Sequence, residues 1–262
     1  MNRFEKEMVD ILCDLRENYS VINVRAEFEA EGARFDEVLK LQNIAHLANL
    51  PLTFKIGGCE AIKDLYDART LGAVSIIAPM IESAYAMQKF VQAIQRVFSE
   101  ENRKDMSFFI NIETITGVHN WEEIVSSPWF NYIDGVVIGR VDLSSSLGLS
   151  RKEIDSEKID TIVEKISQSV LKSHKLFAVG GGISFQSIDL FRRLPLISFI
   201  ETRKIVFSGK GLLALDNAKN ALDRANDFEL LWLKNKRDYY GNIYKEDIAR
   251  IELLESRKLE KQ

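Results

Sequence analysis

A chain of 262 residues, 46% of them hydrophobic, is long enough for one large α/β domain with a substantial core. Its formal charge of −4 argues against a partner held by neutralising nucleic-acid phosphates, and no apolar run approaches the roughly 20 residues of a membrane span. Cys13 and Cys59 give neither a disulfide framework nor a metal-ligand spacing and read as reduced core thiols of a cytoplasmic protein.

Residues 3–18 read as an amphipathic helix, with Met8, Ile11, Leu12 and Leu15 at helical spacing. The charged residues 1–7 lack the apolar region of a signal peptide. Strands and helices then alternate. A strand over 21–28 precedes a helix over 35–48, and a strand over 52–57 precedes a helix near 60–70. A strand over 73–80 is followed by a helix over 83–98. Strands over 108–114 and 136–142 come next, each ending on a carboxylate, Glu113 and Asp142. A helix near 154–173 leads into a strand over 176–181; residues 197–201 supply another, and 204–207 a short eighth.

Repeated βα units imply a parallel sheet covered by helices. Seven to eight of them suit a closed (β/α)8, TIM-barrel-like α/β fold better than an open sheet. The pattern leaves the first strand of a standard barrel absent or replaced by the N-terminal helix. After Gly211 the chain turns helical, and over 244–262 it is charge-rich, with Ile248, Ile251, Leu253, Leu254 and Leu259 as an apolar stripe. The division is thus a barrel domain over 1–210 and a C-terminal helical extension over 211–262. The tail reads equally as a solvated helix or as an oligomerisation arm.

Alternation along the strands carries more information than the strands themselves. Over 21–29 one face holds Ile22, Val24, Ala26 and Phe28, the other Asn23, Arg25, Glu27 and Glu29. Thr53 and Lys55 oppose Leu52, Phe54 and Ile56; Phe109, Asn111 and Glu113 oppose Phe108, Ile110 and Ile112. The apolar face must meet the helices, so the charged face points into the barrel. Barrel interiors are normally filled by branched apolar side chains, and buried charges cost several kcal/mol unless paired or bound. A row of charges from several strands predicts a binding cavity, with ion pairing of Arg25 to Glu27 or Glu201 as the structural alternative.

Adjoining strands lie about 4.8 Å apart, so Glu113 and Asp142 can reach one ion. Two carboxylates suit Mg²⁺ or Mn²⁺, which keep positions open for water and substrate. Such an ion clamps a 2-oxo acid through its ketone and carboxylate oxygens and stabilises an enolate. Lys55, at another strand end, adds positive charge to the same oxygen. The backbone of Arg140, Val141 and Asp142, at a helix start, offers N–H donors to the carboxylate. Arg203 and Lys204, after the last readable strand, suit an anionic part of the substrate or, equally, surface salt bridges.

These residues resemble the HpcH/HpaI aldolase and citrate lyase β-subunit family, of the phosphoenolpyruvate/pyruvate-domain barrel superfamily, over roughly residues 21–205. The resemblance rests on Asn111-Ile112-Glu113-Thr114 with Gly117-Val118, and on the run from Asp134 to Ser144. Ile76 to Ser83 resembles the family's third such strand and loop. It implies that Glu113 and Asp142 are metal ligands, that the Val141 and Asp142 amides and Asn111 belong to the pyruvyl site, and that Lys55 stands where the aldolases use an arginine. It also implies oligomers that exchange C-terminal helices. Two departures stand out: the family's histidine falls on Gly32, and lysine lacks arginine's bidentate geometry. His46 and His174 precede strands, at the wrong end of a barrel, and His119 reads as a helix-start or surface residue. The general base is then Glu27, Glu29 or Glu31.

The expected function is a divalent-metal-dependent carbon–carbon lyase or aldolase acting on a 2-oxo acid. Phosphoryl or enolpyruvyl transfer on the same metal site is one alternative; a non-catalytic barrel binding a small acid or a protein partner is the other.

Overall fold

The computed structural model describes residues 1–194 and 196–259. Eight strands close into a barrel in sequence order: β1 (Val21–Glu27), β2 (Leu52–Lys55), β3 (Ser75–Ala78), β4 (Ser107–Ile112), β5 (Gly135–Gly139), β6 (Leu176–Gly180), β7 (Phe199–Glu201) and β8 (Ile205–Ser208). The helices are α1 (Arg3–Asn18), α2 (Phe35–Leu47), α3 (Ile62–Thr70), α4 (Ala84–Val97) and α5 (Glu100–Lys104). They continue with α6 (Ile115–His119), α7 (Trp121–Ser126), α8 (Arg140–Ser146), α9 (Glu157–Lys172), α10 (Ile188–Arg193), α11 (Gly209–Leu213) and α12 (Ala218–Leu259).

The barrel's first strand is present. β1 follows α1 directly and pairs with β2 in parallel, so the N-terminal helix is an addition to the barrel rather than a substitute for a strand. The departure from a regular barrel lies at the other end. β1 to β7 run parallel, but β8 runs antiparallel to both β7 and β1. Only Thr202, Arg203 and Lys204 join β7 to β8. A parallel return needs a crossover of a dozen or more residues, so this link can only make a hairpin. The hairpin tip therefore stands at the end of the barrel where β1 to β7 terminate.

α1 begins in a capping box: Asn2 Oδ1 accepts from the Glu5 N–H and Glu5 accepts from the Asn2 N–H. Met8, Ile11, Leu12 and Leu15 form its buried face. α12 lies along α1, burying Ala221, Leu222, Ala225, Phe228 and Trp232. Asn2 donates to Asn235 Oδ1 at 2.6 Å, and Arg224 pairs with Asp14 at 3.0 Å. Tyr240 donates to Glu37, at the start of α2, at 2.5 Å. Beyond this point α12 stands clear of the barrel: residues 242–247 and 249–257 are exposed, Ile251, Leu253 and Leu254 among them. The Leu259 side chain and residues 260–262 lie outside the described residues.

Alternation sorts the strand side chains as expected. Val24, Ala26, Phe54, Ile76, Ile110 and Ile138 join the outer core. Inside the barrel Ile77, Phe109, Val137 and Ala178 make a small apolar cluster, with Phe199 edge-on to Phe109 at 5.9 Å. Much of the rest of the interior is polar or charged.

Candidate active site

A cavity of about 320 Å³ opens inside the barrel, lined by Arg25 and Glu27 of β1, Lys55 of β2, Asn111 of β4 and Glu113 just beyond it. Active sites of such barrels sit where the parallel strands end, and this cavity does too. Val141, Asp142, Gly181, Glu201 and Arg203 complete much of its wall. Among the described residues, sequence alternation thus brings Arg25, Glu27, Lys55, Asn111 and Glu113 to one place.

Glu113 is 2% exposed and fully engaged. Its Oε1 accepts from the Met80 N–H at 3.0 Å; its Oε2 accepts from Asn111 Nδ2 at 2.6 Å and Lys55 Nζ at 3.1 Å. Gly139 makes the room: a Cβ there would lie 2.5 Å from Glu113 Oε2. The Lys55 ammonium also contacts Glu29 at 2.5 Å and Glu27 at 4.0 Å. Burial draws the Lys55 pKa down, but Glu113 and Glu29 outweigh it and hold the ammonium above its ordinary value. Burial raises Glu113 above the usual carboxylate range despite Lys55.

Asp142 is not on a strand. β5 stops at Gly139 and Arg140 begins α8, so Asp142 lies in the helix's first turn, on the cavity wall. The first N–H groups of a helix have no intrahelical acceptor. Two of them, on Arg140 and Val141, face Gly181, where a Cβ would lie 2.9 and 2.8 Å from the two nitrogens. Only glycine lets the backbone approach the start of α8 this closely. With φ +83°, Gly181 also has a backbone that L side chains rarely adopt.

The Arg140 side chain is elsewhere. It is 0% exposed and does not line the cavity: its guanidinium donates to Asp155 at 2.7 Å, Ser187 at 2.8 Å and the Gly182 carbonyl at 3.1 Å. The sequence points to the Arg140 backbone at this position, and the side chain points away from the cavity. Of the three candidate bases, Glu27 lines the cavity, Glu29 reaches it through Lys55, and Glu31 is held by Arg203 at 3.9 Å and by Lys204. Gly32, at the position of the family's histidine, has φ +53°. His119 ends α6 rather than opening a helix, and neither it, His46 nor His174 lines the cavity. Arg151, Asn226 and Glu229 also line the rim. They lie on a short 3-10 turn and on α12, far along the chain, where no local pattern links them to the strands.

Burial alone would raise Glu27, but Arg25, Lys55, Arg203 and Lys204 outweigh it and hold the carboxyl below its ordinary range. A depressed carboxyl stabilises the fold above its unfolded pKa, and the contribution is lost as pH falls through the folded value. Glu27→Gln is therefore expected to lower Tm by roughly 5–10 °C near neutral pH. Melting curves should show the gap to wild type closing toward about pH 4 and below; a gap independent of pH would contradict this charge arrangement.

The donor set fits a hard divalent cation. Among the described residues no three His, Cys, Asp or Glu side chains cluster as a preformed metal cage. Asn111 Oδ1, however, is buried beside Glu113 with no hydrogen-bond partner. Glu113, Asp142 and the Asn111 carbonyl form an all-oxygen set on one cavity. Mg²⁺ is commonly held by one or two carboxylates, with water and substrate filling its other positions.

Residues 57–180 match the HpcH/HpaI aldolase/citrate lyase family. The chain is 25% identical over 186 residues to a hydroxypyruvate/pyruvate aldolase of Roseobacter denitrificans, across 61% of this chain and 69% of that protein. Its fold is shared with an HpcH/HpaI aldolase of Desulfitobacterium hafniense (TM-score 0.56, 16% identity, 72% of this chain and 78% of that one). A Burkholderia cenocepacia protein of the HpcH/HpaI aldolase/citrate lyase family aligns at TM-score 0.60 and 15% identity, over 76% of this chain and 83% of its own. The citrate synthase SbnG aligns at TM-score 0.60 and 17% identity, over 88% and 90%.

Proposed function

We propose that this chain, whose residues 57–180 match the HpcH/HpaI aldolase/citrate lyase family, is a Mg²⁺- or Mn²⁺-dependent aldolase that makes or breaks a bond to C3 of a pyruvate-type 2-oxo acid. The observation that carries this reading is the convergence of Glu113, Asp142 and Gly181 on one cavity. The name of the Roseobacter relative supports a pyruvyl substrate.

In this reading Glu113 and Asp142 hold the cation, with Asn111 as a further oxygen donor. When bound, the cation supplies a Lewis acid that stabilises negative charge on the ketone oxygen. The Val141 and Asp142 amides bind the substrate carboxylate at the start of α8. Lys55 balances the carboxylates around it and keeps positive charge near the ketone. Glu27, held ionised by its cationic neighbours, accepts a proton from C3 in the condensing direction. The resulting enolate attacks the carbonyl carbon of the acceptor, whose oxygen is then protonated to a hydroxyl. Arg203 stands at the rim, where it suits an anionic group on the acceptor.

The experiment is exchange of the pyruvate methyl protons with D₂O, followed by NMR. Exchange that requires Mg²⁺ or Mn²⁺ is expected. Its absence with either ion would count against enolate chemistry.

We further assign the helical extension, 211–262, to association between copies of the chain, since Tyr244, Ile251, Leu253 and Leu254 are exposed on the free end of α12. Sedimentation of the full chain should show an oligomer that a chain ending at residue 240 does not form. Equal sizes would sink this assignment. Cys13 and Cys59 are free thiols, in keeping with a reducing, cytoplasmic setting.

A further inference from the structure

Two arginines are buried in this barrel, and they are treated differently. Arg140 makes three side-chain hydrogen bonds and leaves only Nε unpaired. Arg25 is 7% exposed, lines the cavity, and makes no side-chain hydrogen bond among the described residues. The carboxylates facing it stand too far off: Glu201 Oε2 is 3.6 Å from one terminal nitrogen and Glu27 Oε2 is 3.8 Å from the other. Arg25 Nε and Glu201 Oε2 are both buried without a partner.

A structural ion pair would close these distances. Arginine and a carboxylate normally meet as a fork at about 2.7–2.9 Å, and buried polar groups are rarely left unbonded. Here the neighbours supply compensating charge while leaving the terminal N–H groups of a cavity-lining guanidinium without a hydrogen-bond partner. Lys55 is the opposite case, because its ammonium already contacts Glu29 and Glu113. Arg25 lies opposite Thr53, one strand over from Lys55, so the guanidinium enters the same cavity from β1 instead of β2.

We infer that Arg25 is the side chain that hydrogen-bonds the oxyanion of the bound 2-oxo acid, and that Lys55 serves to neutralise Glu29 and Glu113 rather than to touch substrate. The inference rests on the pyruvyl-site reading above. It assigns the planar, multi-donor contact, which lysine cannot supply, to a residue on the neighbouring strand.

The test is calorimetric titration of oxalate, a stable mimic of the pyruvate enolate, into the Mg²⁺-loaded protein, with Tm measured alongside. Arg25→Lys keeps the charge and removes the fork. The double variant Arg25→Gln, Glu201→Gln removes both members of the pair, so no lone buried charge is left. Both are expected to weaken oxalate about 10- to 100-fold, with Tm within a few degrees of wild type. Oxalate bound as tightly as by wild type overturns the inference and leaves the pyruvyl site standing. A parallel collapse of Tm and affinity in both variants also overturns it, by assigning Arg25 to folding. No oxalate binding by wild type with Mg²⁺ or Mn²⁺ overturns the site reading and the inference together.

Discussion

Glu113→Gln is expected to reduce metal-dependent proton exchange of pyruvate by about 10³-fold or more while the protein stays folded. The substitution keeps size and shape, so the space made by Gly139 is still filled. With its carbonyl oxygen toward Asn111 and Lys55 the amide keeps two of the three hydrogen bonds and gives up the one from the Met80 N–H, and one anionic ligand is gone. Stability should move little, and the sign explains why. Burial raises the Glu113 carboxyl above its ordinary range, so its ionised form costs the fold stability that a neutral amide does not. Melting and exchange measured on one preparation check both halves. A variant that keeps near-normal exchange would remove Glu113 from the metal site. Asp142→Asn should show a loss of the same kind, because its carboxylate is the second anionic donor on this wall.

Gly181→Ala is the second large effect expected, and it tests a different part of the cavity. The added methyl would sit 2.8 Å from Val141 N and 2.9 Å from Arg140 N, displacing the start of α8 where the Val141 and Asp142 amides are proposed to hold the substrate carboxylate. It would also force alanine to φ +83°, which costs about 1–3 kcal/mol. We expect oxalate affinity to fall about 100-fold or more, well beyond what a loss of that size in global stability explains in a folded protein. Calorimetry beside thermal melting separates the two. If Gly181→Ala melts lower but binds oxalate normally, the two amides do not form the carboxylate site.

Much of this cavity is legible before any coordinates, because strand alternation is strict. Once Ile110 and Ile112 face the helices, Asn111 and Glu113 must face inward, and the same parity sends Arg25, Glu27 and Lys55 with them. Parity ends where a strand ends. At Gly139 the chain passes from extended to helical without a side-chain cap, so nothing local marks the change, and Arg140 and Asp142 are misplaced by the continued strand pattern. The antiparallel direction of β8 is hidden for another reason. Its four residues look like any short strand, and Thr202-Arg203-Lys204 carries none of the glycine or asparagine that usually marks a hairpin. The Arg25 geometry is beyond sequence altogether: whether a buried guanidinium is bonded or free is a matter of an ångström. Gly181 is visible only as one of three successive glycines, which tight turns explain equally well.

The antiparallel strand has a consequence for how the molecule assembles. Each parallel neighbour pair is built from segments close in sequence, and β7 and β8 are joined by three residues. The one distant pairing is β8 with β1, where Phe207 meets Val21 across most of the chain. Closing so long a loop carries the largest entropic cost in the barrel and brings its reward only at the end. The seam is then clasped on the outside by α12 lying along α1, and on the inside by Arg203 reaching over β8 to Glu27 at 3.3 Å. Glu27 and Arg25 thus enter the cavity from one bank of the seam, Arg203 and Glu201 from the other. Refolding should restore helical signal first and ligand binding last, so the cavity itself reports when the ring has shut.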